Sequence, residues 1–117
     1  MRLIDLTLSN FIETSVSPNA IIIPTLETNG KTAGILYALS DSVRLQIVMT
    51  LSDGTEKGAY EFKSLCKSPT LACHFKILRE AGITKTRIEG RYHFVSLRLA
   101  DLNERFPGLM DAILRSA

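Results

Sequence analysis

From residue 32 onward, apolar side chains first recur every three or four positions, then alternate, then return to helical spacing. The first helical stretch runs from Thr32 to Leu39. Asp41 is placed to cap a second from Ser42 to about Ser52, ended by Asp53-Gly54. Leu45, Ile47, Val48, Met49 and Leu51 point in several directions, the pattern of a helix surrounded by protein. A short helix is expected over Ala59 to Cys66, then a tight Lys67-Ser68-Pro69 turn and a helix from Pro69 to Ala81 with Ser68 as its cap. Ile83 to Ile88 and Arg91 to Leu97 read as two strands joined at Glu89-Gly90, where glycine takes the positive φ of a hairpin turn. A final helix covers Leu99 to Ser116, interrupted near Pro107-Gly108, with Leu102, Phe106, Leu109 and Ile113 as its apolar stripe.

The Pro69–Ala81 helix has two distinct sides. Leu71, Phe75 and Leu78 form the side to be buried, and Gly82 stands where a glycine stop belongs. Opposite them lie Pro69, Cys73, Lys76 and Glu80, flanked by Thr70 and Ala72, a low surface with one cation. His74 sits nearer the buried side. Lys85, Arg87 and Arg91 surround the hairpin tip.

Short brace, helix, glycine stop and basic hairpin, in that order, define a mainly α chain with a small β-hairpin: the winged helix-turn-helix layout. Residues 32–117 form this unit, and residues 1–31 an N-terminal arm or extension packing on the body or on a second subunit. Within the arm Ile4, Leu6 and Leu8 alternate as in a strand, while Ile4, Leu8 and Ile12 fit a helix face. Ile21-Ile22-Ile23 before Pro24 reads as extended.

Charge adds a second signal. The net charge is only +2, yet Lys57 to Arg98 carries nine Lys/Arg against three Asp/Glu, with acid in excess on both sides. A basic middle between acidic ends suits a polyanion. In 117 residues there is room for one modest core. Two cysteines make no disulfide scaffold, and neither a leader pattern nor a membrane-length apolar run is present, so a reducing cytoplasm is expected.

The motifs sharpen this reading. Ala38-Leu39-Ser40-Asp41-Ser42-Val43-Arg44-Leu45-Gln46-Ile47 resembles the "ALADPxRLxIL" opening of ArsR-type winged-helix repressors. Pro69 to Gly82, PTLACHFKILREAG, is similar to that family's "PTxSHHxKxLREAG" recognition helix, and Arg87-Ile88-Glu89-Gly90-Arg91 to its "R-x-E-G-R" wing tip. The resemblance spans Thr32 to Leu114 and omits the first 30 residues. It implies a dimeric repressor of double-stranded DNA operators, with an N-terminal segment and the final helix, through Leu99, Leu102, Phe106, Leu109 and Ile113, at the dimer interface. Ala72-Cys73-His74 replaces the family's Ser-His-His, so a hydroxyl and one imidazole are missing from the DNA-facing side and the base preference does not carry over.

The family's best-known activity, metal sensing, lacks its ligands here. Gly58-Ala59-Tyr60-Glu61-Phe62 has no cysteine where the family's Cys-x-Cys pair stands, and no histidine follows His93. No metal and no cofactor are expected. Cys66 and Cys73 flank the turn and could form a thiol switch; the plainer reading is a packed small residue and a lone exposed thiol. Arg44 near Asp41 and Arg79 beside Glu80 read as ion pairs. His74 and His93 read as structural or phosphate-contacting, and Gly30-Lys31-Thr32 lacks the frame of a phosphate loop. No catalytic constellation is present.

The expected DNA-binding residues are therefore Lys67, Ser68, Thr70, Ala72, Cys73, His74, Lys76, Lys85, Arg87 and Arg91. Thr70, Cys73 and Lys76 would meet base edges or nearby phosphates, and Ser68 a phosphate at the helix N-terminus. Lys67, Lys85, Arg87 and Arg91 would hold the backbone. The alternative is a winged-helix adaptor for protein contacts that no longer binds DNA. The expected partners are a double-stranded DNA operator and a second copy of the chain, with no membrane.

Overall fold

A computed structural model of the chain describes residues 32–116 and, as backbone, residues 20–23. The expectations for Ile4, Leu6, Leu8 and Ile12 fall outside the described residues. Element by element, the chain forms β1 (Ala20–Ile23), α1 (Thr32–Ala38), α2 (Ser42–Thr50) with a 3-10 turn at Leu51–Asp53, β2 (Lys57–Gly58) and a 3-10 turn at Ala59–Phe62. α3 (Ser68–Glu80), β3 (Thr84–Glu89), β4 (Tyr92–Leu97), α4 (Leu99–Arg105) and α5 (Leu109–Ser116) follow.

Local chemistry sets most of these boundaries. Asp41 is extended and its carboxylate accepts from the backbone N–H groups of Val43 and Arg44 at 2.8 and 3.1 Å, which fixes the start of α2. Those donated bonds, Arg44 first, hold the Asp41 carboxyl below its ordinary pKa against the opposing effect of burial. α3 ends in a Schellman motif: the Ile83 N–H donates to the Leu78 carbonyl and Gly82, at φ 83°, donates to Arg79. Leu78 and Ile83 are both fully buried, so the motif's apolar contact belongs to the core. Gly108, at φ 84°, separates α4 from α5 at the expected break.

Two boundaries differ from expectation. Ser68 is the first helical residue, and Lys67, extended at φ −65° and ψ 150°, takes the cap position without side-chain capping. Pro69 is then second in the helix, where its missing N–H costs nothing. The expected Ala59–Cys66 helix is only a 3-10 turn. Lys63 N–H bonds Tyr60 and Leu65 N–H bonds Phe62, three residues back, so the segment advances by turns. Eight residues are too few for an autonomous helix, and Phe62, edge-on to the Phe75 ring at 5.5 Å, supplies the tertiary anchor instead.

The sheet is antiparallel in the order β1-β3-β4-β2. β3 and β4 make the hairpin, with Glu89 opposite Tyr92 and a two-residue turn at Gly90-Arg91, one position beyond the expected Glu89-Gly90. Gly90, at φ 62°, supplies the positive φ that primed hairpin turns require. The extended reading of Ile21-Ile22-Ile23 is realised as β1, which pairs with the outer edge of β3 from Ala20 opposite Glu89 to Ile23 opposite Thr86. The core joins all layers: Ile35 and Ala38 from α1, Ile47 and Val48 from α2, Leu71 and Leu78 from α3, Val95 and Leu97 from β4, Leu102 and Met110 from the last helices.

Candidate nucleic-acid interface

α3 is fastened by its buried residues and bare on the other side. Leu71 and Leu78 lie in the core, and Phe75 and Ile77 pack against it. Lys67, Ser68, Pro69, Thr70, Ala72, Cys73 and Lys76 are exposed. Lys76 is 62% exposed at its side chain, and its ion-pair contact with Glu80, at 4.0 Å, is loose. A helix N-terminal half with small or mobile side chains offers little steric resistance to a groove.

His74 does not belong to this surface. Its Nδ1 lies 3.0 Å from Arg44 Nη1 and accepts from it, leaving Nε2, 3.8 Å from an Asp41 carboxylate oxygen, as the protonated nitrogen. Arg44 is 5% exposed and also donates to the carbonyls of Ala38 at 2.6 Å and Tyr37 at 3.3 Å. A buried guanidinium thus closes the C-terminal end of α1 and ties it to α3 through His74. Arg44 is therefore a hub, where the sequence suggested a simple ion pair with Asp41. Arg79 makes no ion pair with Glu80 either; the Glu80 carboxylate leans to Lys76.

The hairpin also redistributes the expected cations. Arg87 Nε and Nη2 donate to the two Glu56 carboxylate oxygens at 3.1 and 2.8 Å, Nη1 donates to Glu89 at 2.6 Å, and the guanidinium lies 4.5 Å over the Phe94 ring. Hydrogen bonding to Glu56, then to Glu89, raises its pKa, and its charge is offset within the protein. Lys85, on the same face, is half-buried, and burial lowers its pKa, helped by Arg98 and opposed by Glu56. The alternation of β3 turns both toward Glu56 and away from α3. Arg91, at the turn, is exposed and has no ion-pair partner among the described residues.

The opposite face of the hairpin, with Thr86, His93 and Val95, looks at α3 across a groove of about 540 Å³. Ser68, Leu71, Ala72, Phe75, Lys76 and Arg79 form its helix wall, and Ala59, Tyr60 and Lys63 close one end. Tyr60 is exposed and meets the exposed Tyr92 ring edge-on at 6.0 Å. Lys63, Arg79 and Tyr60 are absent from the sequence-derived set. The four-residue spacing of Phe75 and Arg79 puts them on one side of α3, but the wall they face appears only once the hairpin folds back.

One of the five residues of the expected interface stripe is spent inside the protomer. Leu102 is 1% exposed, a core residue, whereas Leu99, Phe106, Leu109 and Ile113 are partly buried against the core. Cys66 is half-buried against the core and Cys73 is an exposed free thiol. Among the described residues no group of three or more His, Cys, Asp or Glu side chains could hold a metal ion, and no helix is long and apolar enough to cross a membrane.

A helix with a bare N-terminal half, braced from behind and walled by a β-hairpin, defines a winged helix-turn-helix protein. Comparison with known proteins agrees. The chain is 40% identical over 84 residues to an uncharacterized HTH-type transcriptional regulator of Bacillus subtilis, YceK, spanning 69% of this chain and 84% of that one. It is 33% identical over 88 residues to the biofilm growth-associated repressor of Agrobacterium fabrum, spanning 74% of this chain and 75% of that one. The crystal structure of an ArsR family transcriptional regulator superposes with a TM-score of 0.59 over 81% of this chain and 99% of that one; at 19% identity this speaks for the fold alone. No protein-family profile matches the chain. The chain belongs to the HTH-type transcriptional regulators, with the winged-helix fold seen in the ArsR family structure.

Proposed function

We propose that this regulator is a cytoplasmic homodimeric repressor that binds a near-palindromic operator and works without a metal. The observation that carries the reading is the exposed N-terminal half of α3, whose Thr70, Ala72, Cys73 and Lys76 stand clear of the body while Leu71 and Leu78 anchor the helix. Two copies related by a two-fold axis would set two such helices into successive major grooves, about 34 Å apart. Thr70, Cys73 and Lys76 read base edges. Lys67, Ser68 and Arg91 contact phosphates, with Ser68 and Thr70 offering the N–H groups of a helix start. Lys85 and Arg87 shape the wing. Phe106, Leu109 and Ile113, with Leu99, form the seam between copies. Occupation of a promoter then excludes polymerase.

Fluorescence anisotropy with a labelled duplex tests this. Lys76→Ala and Thr70→Ala should change relative affinity among duplexes differing at single base pairs, by about 1–3 kcal/mol at the affected position. Identical losses on every sequence would contradict base reading by α3.

A further inference from the structure

The groove between α3 and the hairpin combines features that a DNA strand does not need. Its floor is apolar: Leu71 and Val95 are nearly inaccessible, and Phe75 and Ala72 widen it. Tyr60 stands at one end as an exposed flat ring, braced by Tyr92. Three cations, Lys63, Lys76 and Arg79, sit on its rim. Only Lys76 has a carboxylate within reach, at 4.0 Å, and Lys63 and Arg79 have no ion-pair partner among the described residues. A sugar–phosphate strand would satisfy the rim and leave the floor wetted. A neutral apolar molecule would fill the floor and ignore the cations.

We propose that this groove binds a small organic anion, a flat aromatic body bearing one carboxylate or sulfonate, and that its occupation displaces DNA. The volume of about 540 Å³ is that of a small-molecule site. The ring stacks in the groove beside Tyr60 and over Phe75, and the acid group meets Arg79 and Lys63, a guanidinium fork being well matched to a carboxylate. Ser68, Ala72 and Lys76 line the groove and also border the DNA-reading surface of α3, so the two ligands compete for one place. This clause of the proposal rests on the operator-binding reading above; the anion site itself does not. The ligand acts as an inducer by direct exclusion, without a rearrangement between subunits.

The test uses the full chain, 2-naphthoate as probe and 2-naphthylmethanol as its uncharged counterpart. In nuclear magnetic resonance titrations without DNA, naphthoate should shift the amide signals of Ala59, Ala72, Thr86 and Val95 saturably, and the alcohol should bind more weakly. Arg79→Gln, which strands no ion-pair partner among the described residues, and Lys63→Gln should each weaken naphthoate by about five-fold, the scale of one partly exposed charged contact. Naphthoate should release a labelled duplex from the wild-type chain at concentrations matching its own affinity. No saturable shift at these amides, naphthoate bound by both variants as tightly as by the wild type, or a duplex retained at saturating naphthoate would overturn the proposal. A chain that takes naphthoate in the groove but binds no duplex would refute operator binding instead and leave the anion site standing.

Discussion

Arg87 and Glu56, thirty-one residues apart, form a two-pronged ion pair at 3.1 and 2.8 Å across the wing. A cation that the motif places at the tip of a DNA-binding hairpin is thereby turned into a brace between the hairpin and the segment leading to β2. Arg91, two residues past Glu89, is the cation left at the tip.

The two arginines should therefore behave differently. Arg91→Ala should leave thermal stability unchanged, weaken all duplexes alike and reduce the log–log salt slope by about 0.9, one phosphate contact. Arg87→Ala should cost about 1–2 kcal/mol in urea unfolding, because Glu56 and Glu89 lose their donors and Phe94 its cover. Equal, purely DNA-directed losses from both would remove the brace.

His74 tests the second correction. His74→Ala strands Arg44 Nη1 in a buried setting and should lower stability by about 1–3 kcal/mol. Base preference, read in single-pair duplex variants, should be unchanged. A relaxed preference at one base pair with unchanged stability would return His74 to the reading surface.

Acid stability follows from two aspartates. Hydrogen bonds from Thr55 N–H, then the Lys57 ammonium, hold Asp53 at about 2, and Asp41 lies below 3.8 for the reason given above. Folded values below unfolded ones mean that both groups stabilise the fold above about pH 4 and lose that contribution as pH falls toward their folded values. Asp41→Asn keeps the cap and removes the titration. Its urea midpoint should drop less than the wild type's between about pH 5 and pH 3; an equal drop would contradict the linkage.

For the dimer seam, Ile113→Glu and Phe106→Glu should each produce monomers in sedimentation equilibrium, since a charge would enter an apolar surface shared by both copies. The Ile113 variant guards against misfolding, because that residue is only partly buried against the core. Dimers of unchanged affinity in both variants would place the seam elsewhere.

What could be read in the sequence was what short-range chemistry decides. Asp41 caps the two N–H groups just beyond it, Gly82 closes a Schellman motif within five residues, and Gly90 and Gly108 turn the chain where their φ demands. Helix α3 and the hairpin follow from periods of 3.6 and 2 that need no distant partner. What escaped were pairings set by tertiary folding: Arg44 with His74, thirty residues apart, Arg87 with Glu56, and Leu102 with the core. The 3-10 turn at Ala59–Phe62 belongs to the same group, since Phe62 is held by Phe75 on another element. The motif reading shared this limit. Motif positions carry no contacts, and the structure gives His74 and Arg87 internal partners that the motif could not show.

The most direct test of the central claim is selection of bound duplexes from a random pool by this chain, followed by a salt titration on the best sequence. The account predicts enrichment of two inverted half-sites centred about one helical turn apart, and affinity falling steeply with salt at about −0.9 in log–log slope for each phosphate contacted. A pool with no enriched sequence and binding indifferent to salt would contradict it.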